Sequence, residues 1–399
     1  MKKIKAENKI LIMLAFFSIS IGLWGNFRQL WLQDNNFSVT QISNIISIGT
    51  FISVIGIALI GKYVTLNKLK KTLTSILTIK FINMLALYFL NGTNKTELIK
   101  LAIMIDIVME YIIITSIYPL ITTIVKSDTI YSKRKLTEYL FRDIGILFGG
   151  IFIGKSVAGI LVNYNICLII SNVFLLISIF TMLNIKINKI EEKHSVKNSM
   201  VKYILKSKIM SLYLLDMFVG TTAMSTALGL KMLTLTNYFA FSDSIATNYL
   251  LIVGLIADGI GILALKYLTP KNDYLTITIK FGIRFIWYVV VFISNNLIIT
   301  LIAITWSLLI STAYENICDG VYINRVENNY QLSFANIRYI IRFLGEAIGV
   351  FFCGIMYEIG LKYMLGLSAI FMIFQIGLAY YLIHLRRVED TQNVKDNIY

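Results

Sequence analysis

The chain has 399 residues, of which 57% are hydrophobic and only 15% are charged, and its mean hydropathy is +0.73. Soluble domains carry roughly 25% charged residues, so this composition excludes an ordinary soluble protein and predicts an integral protein of the lipid bilayer. The net charge of +15 comes from Lys and Arg residues spread over many connections rather than one patch, which argues against nucleic acid as a partner.

Apolar runs of about 20 residues, the length with which a helix crosses a bilayer, recur along the whole chain. The first run follows Lys2 and Lys3 without a small-residue cleavage pattern, so it is predicted to be an uncleaved span. The runs predict an all-α membrane protein with twelve transmembrane helices, at about residues 10–32, 42–61, 73–91, 98–125, 137–162, 164–185, 208–238, 245–268, 274–294, 297–323, 333–358 and 361–385.

Nearly all Lys and Arg residues of the connections fall on one side of these spans, and the other side holds only Lys95, Lys100 and Lys362. Basic residues of short loops mark the cytoplasmic side of a membrane protein. The N- and C-termini are therefore predicted to be cytoplasmic, in a multi-pass protein of the cytoplasmic (inner) membrane.

A repeat relates the two halves of the chain. The stretch Tyr139–Gly149 is matched 200 residues later by Tyr339–Gly349, which keeps the Tyr, the Arg and both Gly residues in register. A period of about half the chain length indicates two structurally related units. We therefore predict two six-helix bundles, at residues 1–186 and 208–399, joined by a cytoplasmic linker at 187–207, in a monomer.

Residues for metal or nucleophilic chemistry are few and far apart. The three cysteines share no short spacing, and the two histidines, His194 and His384, lie in a charged loop and at the end of the last span. This pattern predicts neither a metal site nor a disulfide framework. No phosphate-binding loop of the Gly-x-x-x-x-Gly-Lys-Ser/Thr type occurs either, so we expect no cofactor, no use of ATP and no enzymatic activity.

Twelve spans in two parallel halves with a basic central loop resemble the major facilitator superfamily of transporters. The resemblance implies a substrate site between the halves near the bilayer midplane. It also implies that spans 1, 4, 7 and 10 line the cavity, that spans 2, 5, 8 and 11 form its sides, and that the remaining four support it from outside. The loop after span 2 keeps Gly61 and the trailing Lys70-Lys71 of the family motif, but Thr65 stands where the family has Asp.

Glycines three to five residues apart recur in spans 5 and 11. Such spacing lets another helix approach closely, and two interpretations stay open: a smooth face on which the halves slide, or static close packing. The glycine-rich fifth span is also similar to that of the family's drug antiporters, although their Gly-Pro pair is missing. The candidate conformational interface consists of Gly145, Gly149, Gly154, Gly345, Gly349 and Gly354.

Ionisable residues inside spans are costly and mark candidate functional sites. Asp106 and Glu110 are four residues apart and share one face of span 4, where mutual repulsion favours holding a proton. A structural pairing with Arg28 on span 1 is the alternative interpretation. Because acids outnumber bases on the cavity spans, they favour a proton and a cationic or zwitterionic solute.

Further candidate residues for proton coupling or substrate binding lie in the second half of the chain; these are Asp258 on span 8, Glu315 and Asp319 on span 10, and Arg342 and Glu346 on span 11. Aromatic residues near these charges are candidates for stacking on an organic cation; these are Trp24, Tyr111 and Tyr314. The outer spans carry only Lys80, Lys280 and Arg284, and the two lysines are expected to snorkel to the cytoplasmic surface.

Taken with the resemblance, these residues predict a secondary active transporter that works by alternating access and exchanges a small polar or cationic organic solute against protons. Export of the multidrug or peptide type is the first hypothesis. Proton-coupled uptake of a polar nutrient is the second, favoured by the density of charge. A receptor that transports nothing and a membrane-embedded enzyme are the remaining alternatives.

Overall fold

The computed structural model describes residues 6–64, 66–124, 130–153, 156–157, 160–161, 164–185, 207–267, 273–294, 296–309 and 331–396. In the first half of the chain the helices are α1 (Ala6–Trp24), α2 (Arg28–Asp34), α3 (Val39–Tyr63), α4 (Leu66–Leu90), α5 (Thr96–Ile124), α6 (Ile130–Ile153) and α7 (Tyr164–Leu183). In the second half they are α8 (Lys208–Leu228), α9 (Lys231–Asn237), α10 (Asp243–Tyr267), α11 (Asp273–Ile293), α12 (Leu297–Leu309), α13 (Gln331–Ile359) and α14 (Leu361–Asp396).

The predicted all-α architecture is confirmed. Among the described helices, α4 begins at Leu66 rather than at residue 73, α14 ends at Asp396 rather than at residue 385, and the fifth span is shifted as a whole. The fifth span was expected at residues 137–162, whereas α6 runs from Ile130 to Ile153 and a two-residue strand pair follows it. In that pair, β1 (Ser156–Val157) lies antiparallel to β2 (Ile160–Leu161). Hydropathy missed the first turns of α6 because they carry the polar and basic sequence Tyr-Ser-Lys-Arg-Lys.

Seven helical segments of the described residues are long and apolar enough to cross a membrane; these are Ala6–Asp34, Val39–Tyr63, Lys68–Leu90, Tyr164–Leu183, Asp243–Gly261, Asn336–Ile359 and Leu361–Leu382. Local signals fix some of their ends. Ser38 begins α3 with a capping box, because its hydroxyl accepts from the Gln41 backbone N–H at 3.2 Å while the Gln41 side chain accepts from the Ser38 backbone N–H at 3.0 Å.

The chain forms two compact units. The first comprises residues 1–192 with 230–259, and the second comprises residues 193–229 with 260–399. Within the first unit, α1 packs against α6 and α7, and α5 packs against α3 and α4. Within the second unit, α8 packs against α13 and α14, and α11 packs against α14.

The repeat seen in the sequence is visible in the packing of these helices. In the first unit Gly145 of α6 lies against Gly22 of α1, so close that an added Cβ on Gly145 would come within 3.0 Å of the Gly22 Cα. In the second unit Gly345 of α13 lies against Thr222 of α8, where an added Cβ would come within 3.2 Å of the threonine Oγ1. Gly145 and Gly345 are 200 residues apart in the sequence, and so are Gly22 and Thr222, so the same helix crossing occurs once in each unit.

The first long helix of each half is also interrupted near its end. In the first half α1 stops at Trp24 and α2 restarts at Arg28, and in the second half α8 stops at Leu228 and α9 restarts at Lys231. Each restarted helix has 7 residues and begins with a basic side chain. Both lie within spans that hydropathy predicts as continuous, at residues 10–32 and 208–238, because an interruption of two or three residues leaves the hydropathy pattern unchanged.

The glycines predicted to form a sliding interface occupy tight crossings inside each unit. An added Cβ on Gly149 would overlap the Phe27 ring, and one on Gly349 would lie 2.6 Å from the Ser225 side chain. Gly354 is buried on α13, and Gly154 lies outside the described residues. The contacts therefore support static close packing, the alternative interpretation, and a role in sliding stays a prediction.

We predict that Gly22→Ala destabilises the protein by about 1–3 kcal/mol, because the added methyl meets backbone atoms of α6 that have no rotamer to change. Thermal unfolding of the purified protein in detergent measures this. The matched control is Gly366→Ala in α14, whose added methyl meets nothing within 4 Å and which should unfold at or above the wild-type temperature. Equal unfolding temperatures for the two variants would show that the α1–α6 crossing is not tight.

Candidate functional site

The charges of the first half meet midway along α5. Asp106 is fully buried, and its carboxylate accepts a hydrogen bond from the Trp24 indole N–H at 3.0 Å. The Arg28 guanidinium lies 3.0 Å from the same carboxylate oxygen. The geometry therefore agrees with the alternative interpretation, in which Arg28 of span 1 pairs with Asp106 of span 4.

Lys80 of α4 completes this group and was not among the predicted site residues. Its side chain is 1% exposed and its ammonium forms an ion pair with the other carboxylate oxygen of Asp106. The same ammonium also donates to the Asp106 backbone carbonyl at 3.3 Å. The expectation that Lys80 snorkels to the surface is thus wrong, because a buried carboxylate on the neighbouring helix binds its ammonium.

Glu110 forms the accessible edge of the group. Its carboxylate lies 2.6 Å from the Arg28 guanidinium and 3.6 Å from the Lys80 ammonium, and its side chain is 12% exposed. The two acids are therefore not left to repel each other, since two cations are shared between them. We call Arg28, Lys80, Asp106 and Glu110 the charge cluster; its formal charge is zero, which corrects the expected excess of acid at this place.

Backbone features hold the cluster in place. The interruption between α1 and α2 begins with a hydrogen bond from the Gly25 N–H to the Ile21 carbonyl at 2.6 Å. At Gly25 an added Cβ would lie 2.9 Å from that carbonyl and 3.6 Å from an Arg28 nitrogen, so glycine leaves room for the guanidinium. On α4, the Asn83 amide donates to the Ala102 carbonyl of α5 at 2.8 Å. This hydrogen bond fixes the position of Lys80 along the helix axis relative to Asp106.

Two predicted aromatic residues also lie here. Besides its bond to Asp106, Trp24 packs edge-on against Trp31 with ring centroids 5.5 Å apart, so its ring is part of the core. Tyr111 is half-buried and close enough to Arg28 to interact with its charge. Tyr111 is therefore the more accessible of the two.

A second group joins α6 to α10 in the same unit. The Arg142 guanidinium lies 3.7 Å from the Asp258 carboxylate and 4.0 Å from the Asp143 carboxylate. Asp258, a predicted coupling residue, is thus separate from the charge cluster and has partners of its own.

The remaining predicted residues belong to the second unit or lie outside the described residues. Arg342 and Glu346 are half-buried on α13, one helical turn apart, and both have interaction partners. Glu315, Asp319 and Tyr314 lie outside the described residues, as does the side chain of Lys280.

Arg284, the third charge of the outer spans, is also buried. It was assigned to an outer span, yet it is 4% exposed and its Nε donates to the Gln375 side chain at 2.9 Å. Gln375 in turn donates to the Asp216 backbone carbonyl at 3.1 Å.

One signal in the sequence pointed to Lys80. The two acids and one base on spans 1 and 4 leave one negative charge without a cation, and Lys80 is the next base within a span of that half.

No protein-family model matches the chain, and no curated protein matches it in sequence. Solved structures match it closely in fold. The nucleoside transporter NupG aligns with a TM-score of 0.66 and 12% identity over 96% of this chain and 99% of that chain. The D-xylose-proton symporter aligns with a TM-score of 0.67 and 11% identity over 94% and 95%.

A third similar structure is the Major Facilitator Superfamily transporter FucP in its outward conformation, the fucose:proton symporter of E. coli. It aligns with a TM-score of 0.66 and 14% identity over 95% of this chain and 99% of that chain. Identities this low establish the fold alone. The chain therefore has the multi-pass, all-helical fold of major facilitator superfamily transporters.

Proposed function

We propose that this protein is a secondary active transporter that moves a small polar organic solute across the membrane by alternating access, coupled to protons. The charge cluster of the first unit is the observation that carries the proposal. A buried ion pair is weak evidence of stability, because well-packed apolar residues often stabilise a protein as well or better. Four charged groups gathered within apolar spans therefore favour a functional role.

The composition of the cluster favours a neutral polar or zwitterionic solute. Both signs of charge are present in equal number, and Glu110 and Arg28 keep 12% and 9% of their side chains exposed. A solute with hydroxyl, amino or carboxylate groups finds donors and acceptors at this edge. A purely cationic solute, as first expected from the acidic excess, finds each carboxylate already bound to a cation.

Glu110 is the best candidate in the cluster to exchange a proton. Asp106 is fully buried and has three donors, whereas Glu110 has one close ion pair, at 2.6 Å from Arg28. A solute that binds Arg28 weakens this pair, and a carboxylate deprived of its cation takes up a proton more readily. Solute binding and proton binding are thereby linked through Arg28.

Uptake is the direction we favour, because two of the transporters similar in fold are named as proton symporters of sugars. They and NupG are transporters, which also supports transport over enzymatic activity. Export stays the second candidate, and the observation in its favour is the glycine-rich α6, which carries Gly145, Gly149 and Gly150.

The topology and organisation predicted from the sequence belong to the same proposal. We infer cytoplasmic N- and C-termini in the inner membrane, and bundles at residues 1–186 and 208–399 joined by a cytoplasmic linker at 187–207, in a monomer. The distribution of Lys and Arg over the connections supports this orientation.

In proteoliposomes with an imposed pH gradient, wild-type protein should accumulate a radiolabelled solute from a panel of nucleosides, pentoses, hexoses and amino acids. We expect Glu110→Gln to lose accumulation driven by the gradient but to keep exchange of the same solute, because the amide no longer titrates. Reversing the gradient decides between uptake and export.

The matched control for this experiment is Glu97→Gln on the same helix, whose side chain is 81% exposed and pairs with Lys100 three residues away. It should transport like the wild type. Accumulation that is unchanged in Glu110→Gln would remove Glu110 from proton coupling, and the absence of transport for every solute in the panel would count against the proposed function.

Lys80→Met should destabilise the protein by about 3–5 kcal/mol, since it leaves Asp106 buried with one cation fewer. The double variant Lys80→Met with Asp106→Asn should recover much of that loss while transport stays impaired. Thermal unfolding in detergent and uptake in proteoliposomes measure the two effects.

The control is Lys100→Met, which removes an exposed pair and should change stability by under about 0.5 kcal/mol. If Lys80→Met unfolds at the same temperature as this control, the Lys80–Asp106 pair is not the buried contact described here.

A further inference from the structure

In the charge cluster, Arg28 makes both of its ion pairs through one nitrogen of its guanidinium. The Nη2 nitrogen lies 3.0 Å from the Asp106 carboxylate and 2.6 Å from the Glu110 carboxylate. The Nε nitrogen is buried and has no acceptor among the residues that the structure describes. A guanidinium carries five N–H donors, and buried donors in proteins are almost always paired. The cluster is therefore neutral in charge but lacks an acceptor at Arg28.

A second donor without an acceptor belongs to the same helix. Trp31 lies three residues after Arg28 on α2, so the two side chains share one face of that helix. Its indole is fully buried, and the N–H has no acceptor within the described part of the chain. The indole N–H of Trp24 differs, because it donates to Asp106 at 3.0 Å. Two unused donors on one face of α2 indicate that the missing group is an acceptor.

Glu110 is the partner of Arg28 that a solute can replace. Asp106 is fully buried and is also held by the Lys80 ammonium and the Trp24 indole. Glu110 keeps 12% of its side chain exposed and lies 3.6 Å from Lys80. A carboxylate that binds side-on to Nε and Nη2 satisfies Nε and takes the Nη2 hydrogen that Glu110 uses now. Such two-point pairing with a planar carboxylate is the geometry that a guanidinium favours.

Charge balance decides what must accompany that carboxylate. The cluster holds two cations and two anions, and a net charge at a buried site is costly. A solute carboxylate adds one negative charge. Glu110, released from Arg28, restores the balance when it takes up one proton, so the cluster is neutral again with both ligands bound.

Other acceptors meet these conditions less well. A phosphate monoester has nearly two negative charges at neutral pH, so one proton does not balance it. A hydroxyl group accepts hydrogen bonds but brings no charge to replace that of Glu110 on Arg28. An amino acid can place its ammonium group on Glu110 and then needs no proton, whereas the proposed function requires one.

We propose that the solute of the charge cluster is a small monocarboxylate, which binds Nε and Nη2 of Arg28 in place of Glu110 while Glu110 takes up one proton. The Trp31 N–H is a further donor for the solute. The anion and its proton together carry no net charge, as a neutral cluster requires. Their joint transport rests on the proposed function, whereas the binding of a carboxylate together with a proton does not.

Few titratable groups other than Glu110 can give this binding a dependence on pH. Arg28 from α2, Lys80 from α4, and Asp106 and Tyr111 from α5 surround it. The other ionisable residues of α4 lie near the ends of that helix, and α1 and α3, which also pack against α5, carry theirs near their ends as Glu7, Lys9, Lys62 and Tyr63. From α6, Arg134 donates to the Ile114 carbonyl, one turn beyond Glu110, at 3.1 Å.

Thermal unfolding of the purified protein in detergent, titrated with one solute at a time, measures binding. The solutes are acetate, lactate, pyruvate and benzoate, each compared with its amide. We expect at least one carboxylate to bind about tenfold or more tightly than its amide, because the amide brings no charge to Arg28. Its affinity should fall by up to about tenfold per pH unit as the pH rises, since one proton binds with the solute. Failure of all four carboxylates to bind overturns the proposal.

Three variants test the roles of the residues. Glu110→Gln should bind the same carboxylate with an affinity that does not depend on pH, because an amide takes up no proton. Arg28→Lys keeps the positive charge but loses the side-on pair of donors, and it should bind about tenfold or more weakly. Trp31→Phe keeps an aromatic ring but loses the N–H, and it should bind about threefold more weakly.

The matched control is Trp287→Phe on α11 of the second unit, because that indole N–H is also buried without an acceptor among the described residues. Its affinity for the carboxylate should equal that of the wild type. A wild-type affinity that does not depend on pH contradicts the exchange with Glu110. Equal weakening in Trp31→Phe and Trp287→Phe contradicts the site on α2, and this comparison holds even where Arg28→Lys does not fold.

Uptake in proteoliposomes separates this inference from the proposed function. Accumulation of the bound carboxylate, driven by a pH gradient, supports both. Binding of a carboxylate with a proton, in a protein that transports no solute, supports the site and contradicts the proposed function. Accumulation of a sugar, a nucleoside or an amino acid by a protein that binds none of the carboxylates supports the proposed function and overturns this inference.

Discussion

The need to neutralise the buried carboxylate of Asp106 is the constraint on which the helix packing of the first unit depends. Asp106 is fully buried, and a buried carboxylate without cations would be costly enough to prevent insertion or folding. It is satisfied by Arg28 from one helix, Lys80 from a second and the Trp24 indole. Four helices, α1, α2, α4 and α5, are thereby held together at one carboxylate, and Arg28 reaches it from the first residue of α2, just after the interruption.

Duplication explains much of the remaining architecture. The crossing of α1 with α6 and that of α8 with α13 use small residues at positions 200 apart, and both leading helices restart on a basic residue. The two copies have since acquired different polar chemistry. In the first unit a lysine meets carboxylates, whereas in the second Arg284 meets the amide of Gln375.

Sequence reasoning succeeded where the signal is local. Apolar runs gave the helices, and the spacing of Asp106 and Glu110 placed them on one face with Arg28 opposite. It failed for Lys80, because its partner lies 26 residues away on another helix and a lysine near a span end fits snorkelling equally well. Glycine spacing could not separate sliding from packing, since both require small residues. The contacts of Gly145, Gly149, Gly345 and Gly349 in the structure favour packing.

The position of Lys80 also bears on how the protein is made. The ribosome delivers Arg28 and then Lys80 to the membrane before it delivers either acid that neutralises them, because both acids lie on α5. A lone lysine at the centre of an inserting helix costs about 2.5–3.5 kcal/mol on translocon scales. The favourable course is for α4 to wait at the translocon and to enter the lipid together with α5 as a helical hairpin. Biogenesis of this half is then cooperative, and the connection at residues 91–95 is best kept short.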